Sequence, residues 1–190
     1  MQIELKKIEK YIDIYDIFRI LKKENNNKIA FLDSSLKNKY GRYSIIGIDP
    51  YLELKENNKK FYINDVLSEE NFEEYLAKFL KENKQENNSL LPLISGGIVY
   101  FSYDYGRKFE NIATRHKKDL DIPEAIVTFY KTYIVEDIEK QEIYISYQDK
   151  KDYDNLINLL EKTNLEKENL VKKNSLANFK SNFEKDEYLK

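Results

Sequence analysis

Asp33 and Ser34 stand at the exit of one apolar run, Phe31-Leu32, and Arg42, Tyr43 and Ser44 stand at the start of the next, Ile45-Ile46. If the two runs pair as neighbouring strands, these groups meet at one end of a sheet. A carboxylate there can hold an ammonium group, and hydroxyls can orient it beside apolar walls, which is the chemistry of an amino-acid pocket. The same spacing also fits a plain β-hairpin whose polar residues are solvated or cap the loop, and spacing alone favours that simpler arrangement.

Glycine draws attention to the same stretch. The chain has five glycines in 190 residues, all within residues 31–50 and 94–110. Ordinary proteins carry about 7% glycine, and the residue is kept where backbone needs positive φ or close approach. Gly96-Gly97 lacks the spacing of a phosphate-binding loop, so nucleotide binding is rejected there. It reads instead as a tight turn into a buried aromatic strand ending near Tyr103. Asp104 is placed to cap a short helix holding Arg107 and Glu110, an i, i+3 ion pair.

Other chemistries are excluded or thin. With no cysteine there is no disulfide framework, thiolate metal site or cysteine nucleophile. One histidine, His116, makes a multi-histidine metal site impossible. It lies in the polar run Thr114 to Lys118 and reads as a surface residue. A self-contained enzyme would have to draw on Asp104, Arg107 and His116.

Thirty-two basic and 34 acidic residues leave a net charge of −2. Nucleic acid is therefore not an expected partner, because phosphate binding calls for a basic excess. No apolar run approaches the ~20 residues that cross a bilayer, and the N-terminus lacks an apolar signal core. The chain is expected to be cytoplasmic.

The elements that would position these residues follow from periodicity. Alternation predicts a strand at 3–8, and Asp13 caps a helix whose Ile14, Ile17, Phe18 and Leu21 share a face. Strands are expected at 28–34, 43–48, 51–55 and 60–63, with Asn57-Asn58 as the last turn. A helix should start near Ser68 and carry Phe72, Tyr75, Leu76, Phe79 and Leu80 as its apolar stripe. Residues 125–135 and 142–147 read as a hairpin, followed by a helix with Tyr153, Leu156, Ile157 and Leu160. The expected class is α+β: mostly antiparallel, sandwich-like sheets with helices packed outside. From Thr163 the sequence turns polar. Residues 1–165 are expected to form one domain, and 166–190 a linker plus the beginning of another that is cut off.

The segments Leu32-Asp33-Ser34, Gly41 to Pro50, and Ser102 to Glu110 together resemble the N-terminal domain of the large subunits of anthranilate and aminodeoxychorismate synthases. Asp121-Ile122-Pro123, the Phe129-Tyr130…Val135-Glu136-Asp137 hairpin and the closing Phe183-x-x-x-x-Tyr188 extend the resemblance along the chain. Gly106-Arg107-x-Phe109-Glu110 looks more like the aminodeoxychorismate (para-aminobenzoate, folate) branch.

The resemblance implies a non-catalytic domain, inactive alone. Chorismate, Mg2+ and the catalytic residues would belong to a C-terminal chorismate-binding domain, with ammonia from a glutamine amidotransferase subunit. It also implies a tryptophan pocket, regulatory in anthranilate synthases and structural in some relatives. Carried over by motif, that pocket would comprise Ser34, Tyr40, Gly41, Arg42 and Tyr43, with Asp33 and Ser44 adjacent. Asp33 occupies the place where feedback-regulated members carry Glu, and the shorter side chain has less reach. Two alternatives remain: the same domain of an anthranilate synthase with tryptophan feedback, and a purely structural domain without ligand.

Overall fold

Two long strands form the spine of the molecule, and their side-chain pattern determines where everything else packs. The computed structural model describes residues 3–24, 28–36, 40–110 and 121–162, with positions 184 and 186. In chain order the strands are β1 (Glu4–Lys7), β2 (Ala30–Leu32), β3 (Tyr43–Asn57), β4 (Lys60–Ile63), β5 (Val66–Ser68), β6 (Gly97–Phe101), β7 (Ala125–Asp137) and β8 (Glu142–Tyr147). Helices α1 (Ile14–Glu24), α2 (Phe72–Glu82) and α3 (Lys150–Lys162) surround them, with a 3-10 turn at Tyr103–Lys108.

Every pairing among the described strands is antiparallel. The path runs β1-β8-β7-β3-β4-β5, with β2 beside β3 and β6 beside β7. The α+β expectation therefore holds. The sandwich-like detail takes a different form, because the strands make one continuous sheet with a core on each side.

A bulge explains the two cores. The register of β3 against β7 slips between Pro50 and Leu52, so Tyr51 is an extra residue. Directly paired residues share a face, and one added residue moves the following side chains to the opposite face. Before the slip, Ile46 pairs with Ile134 on one face; after it, Leu52 and Leu54 pair with Phe129 and Val127 on the other. The first face carries α1 and α3 over Ile46, Ile48, Ile134, Ile143 and Ile145. The second carries α2 over Leu52, Leu54, Phe61, Val127 and Phe129. The expected break near Pro50 is therefore absent: the strand continues, and proline sits beside the bulge where its missing donor is tolerated.

Local chemistry shifts three boundaries. The α2 helix starts at Phe72, because the Asn71 side chain accepts from the Glu74 N–H at 3.0 Å and caps it. Ser68 instead closes a short strand, β5, that the alternation did not predict. The hairpin turn after β3 falls on Asn58 and Lys59, whose φ values of 52° and 61° are left-handed. Asp13 does cap α1, accepting from the Tyr15 N–H at 2.8 Å. The strand beginning at Gly97 is not buried: Val99, Tyr100 and Phe101 are half exposed. His116 and the polar stretch after Thr163 lie outside the described residues, except Glu184 and Asp186.

Candidate functional site

The first strand pair brings Ser34, Tyr43 and Ser44 together. Leu32 pairs with Ile45, so the two residues that follow β2, Asp33 and Ser34, run alongside Ser44 and Tyr43. The Ser34 hydroxyl donates to the Tyr43 carbonyl at 2.6 Å. The Ser34 N–H donates to the Ser44 Oγ at 3.2 Å. Ser44 is buried, while Ser34 and Tyr43 are half-buried. These three form a compact polar group at one sheet end.

Arg42 is held elsewhere. Its Nε and Nη2 donate to the two carboxylate oxygens of Asp137 at 3.1 and 2.7 Å. Glu139 lies 3.4 Å from Nε, and the guanidinium lies 5.0 Å from the Tyr43 ring centroid. The Arg42 carbonyl accepts from the Ile138 N–H at 2.9 Å. Asp137 is buried, and the fork from Arg42 holds its carboxyl below the usual range. A planar guanidinium matched to a carboxylate in this way ties the start of β3 to the end of β7. Arg42 therefore braces the site.

Asp33 and Tyr40 are exposed, Tyr40 at 83%. Gly41 is half-buried.

Two residues outside the sequence-derived set reach the same place. Ser44 pairs with Glu136 two residues from the Ile46–Ile134 pair, so both side chains lie on the face that α1 and α3 cover. Glu136 is 4% exposed and accepts from the Tyr11 hydroxyl at 2.6 Å. Burial, then this hydrogen bond, push the Tyr11 phenol well above its ordinary range. The available signal was the pair Glu136-Asp137 directly after the apolar run Tyr133-Ile134-Val135. Alternation sends the two acids to opposite faces, one to Arg42 and one to Tyr11.

The second glycine segment supports the opposite face. Gly96 adopts a φ of 142°, and its carbonyl accepts from the buried Tyr133 hydroxyl, which accepts in turn from the Tyr130 N–H at 3.1 Å. The Ser146 hydroxyl donates to the Ile94 carbonyl. Asp104 pairs with Arg107 at 3.0 Å, replacing the expected Arg107–Glu110 contact. Gly106 has no neighbour within 4 Å of an added Cβ, so close approach does not account for it. Among the described residues no group of three or more His, Cys, Asp or Glu could hold a metal ion. No helix among the described residues is long and apolar enough to cross a membrane.

Comparisons with known proteins agree on a family. The family model described as chorismate binding enzyme matches residues 10–190. Anthranilate synthase component 1 of Acetivibrio thermocellus is 31% identical over 146 residues, covering 73% of this chain and 30% of that protein. Aminodeoxychorismate synthase component 1 of Klebsiella aerogenes is 33% identical over 60 residues, 31% of this chain and 13% of that protein. The solved anthranilate synthase component I of Streptococcus pneumoniae TIGR4 shares the fold at a TM-score of 0.54 and 21% identity, covering 74% of this chain and 33% of that one. The chain thus spans about a third of the length of these anthranilate synthase components.

Proposed function

We propose, for a chain that belongs to the chorismate binding enzyme family, that residues 1–165 are the non-catalytic, ligand-holding module of a chorismate-aminating component I. The whole protein would aminate chorismate at a C-terminal domain, with Mg2+ there and ammonia from a glutamine amidotransferase subunit. The module would hold tryptophan at the sheet end formed by Asp33, Ser34, Tyr40, Gly41, Arg42, Tyr43 and Ser44, in the cytoplasm.

What carries this reading is the hydrogen-bonded joining of Ser34 to Tyr43 and Ser44 in a chain of this family. Two serine hydroxyls and a carboxylate beside a braced strand end suit a zwitterionic amino acid. Titrating L-tryptophan into the chain in a calorimeter tests the reading. Saturable binding that Ser34→Ala weakens is expected, and no heat at millimolar ligand would overturn it. The chain should form neither aminodeoxychorismate nor anthranilate from chorismate, ammonia and magnesium.

Between branches, Gly106-Arg107-x-Phe109-Glu110 supports the aminodeoxychorismate product. The longer match to an anthranilate synthase component, 146 against 60 residues, supports the second reading, with tryptophan as feedback inhibitor. The product made by the complete protein with its amidotransferase decides between them.

A further inference from the structure

Three carboxylates are buried among the described residues: Glu56, Glu136 and Asp137. Glu56 is paired with the Lys108 ammonium at 2.7 Å, and Asp137 with the Arg42 fork. Glu136 meets no cation among the described residues; its partner is the neutral Tyr11 hydroxyl. A buried carboxylate without a compensating cation is costly, and chains retain such a group where something else supplies the charge.

The surroundings indicate what that is. Glu136 and Ser44 are cross-strand partners on one face, and Ser44 Oγ already accepts from Ser34. The Ser44 hydroxyl and this carboxylate therefore lie side by side at the sheet end described above. Tyr11 covers Glu136 from the connection between β1 and α1, outside any helix or strand, and is 37% exposed.

We propose that Glu136 is the ammonium-holding carboxylate of the ligand site, and that the Tyr11 hydroxyl is an internal occupant which the ammonium displaces. This rests on the amino-acid reading of the site and changes its recognition residue from exposed Asp33 to buried Glu136. The ammonium donates to the Glu136 oxygen now held by Tyr11, and the phenol turns outward. Tyr11 thereby sets the threshold for binding, because the ligand must outcompete a hydrogen bond already made.

Calorimetric titration of the chain with L-tryptophan, and with indole-3-propionate as a probe lacking the ammonium, tests this. Glu136→Gln preserves shape and the acceptor for Tyr11, and should weaken tryptophan binding roughly tenfold to a hundredfold, the range for losing a hydrogen bond to a charged group. It should leave indole-3-propionate binding unchanged. Tyr11→Phe removes the competitor and should tighten tryptophan binding several-fold. Glu136→Gln binding tryptophan as tightly as the parent overturns the proposal while leaving the site reading intact. Failure of the unmodified chain to bind tryptophan overturns both. Should Glu136→Gln not fold, Tyr11→Phe decides: tighter binding supports the proposal, and unchanged or weaker binding overturns it.

Discussion

Arg42 and Asp137, 95 residues apart in sequence, meet in a two-point fork with Nη2–Oδ2 at 2.7 Å. The fork closes the end of the two spine strands at the point where the candidate site lies.

This contact makes stability pH-dependent in a defined direction. The Asp137 carboxyl titrates below its unfolded value, about 3.9 for a free aspartate. Its contribution is therefore fully present above that value and is lost as pH falls through the folded pKa. Asp137→Asn should flatten the acid limb of stability below about pH 4 relative to the parent. Urea unfolding at pH 7, 4 and 3 measures this. Parallel curves for parent and variant would refute the assignment.

Tyr133→Phe removes one hydroxyl that serves two backbone groups, the Gly96 carbonyl and the Tyr130 N–H. Leaving buried polar groups unmade costs about 1–3 kcal/mol. The loss should appear as a lower denaturation midpoint with an unchanged slope. A neutral result would mean that the 94–96 segment is not pinned to the sheet through this tyrosine.

Gly47→Ala places a Cβ 2.6 Å from Tyr130 Cδ2 and 2.8 Å from Cγ. Those atoms are the root of a buried ring, which cannot swing aside. Overpacking of this kind costs about 1–3 kcal/mol. Thermal unfolding checks it, and Tyr130→Leu in the same background should recover part of the loss.

Asn71→Ala should destabilise the chain by about 1 kcal/mol through loss of the α2 cap, while Ser68→Ala should change stability by a few tenths at most. Equal effects, measured by chemical denaturation, would put the start of the helix back at Ser68.

The local features were legible in the residues because they depend on neighbours. Asp13 capping α1, the apolar face of Ile14, Ile17 and Leu21, and the β7–β8 hairpin all follow from spacing within a few residues. The meeting of Ser34 with Tyr43 and Ser44 was legible too, since one short loop joins their strands. The continuous β3 was not: proline normally interrupts a strand, and only pairing with β7 on one side and β2 and β4 on the other carries the chain through a bulge there.

The antiparallel, helix-covered class and the polar group at the β2–β3 end follow from the residues alone, because periodicity and turn residues act over short range. Which charges serve that end depends on how the sheet is assembled. Arg42 is occupied by Asp137, and Tyr11 reaches Glu136 across 125 positions. The physical reason is parity: one extra residue in β3 exchanges its faces, and adjacent acids on β7 point to opposite sides of the sheet. Which partner each acid receives depends on what packs over each face, and spacing along the chain does not carry that information.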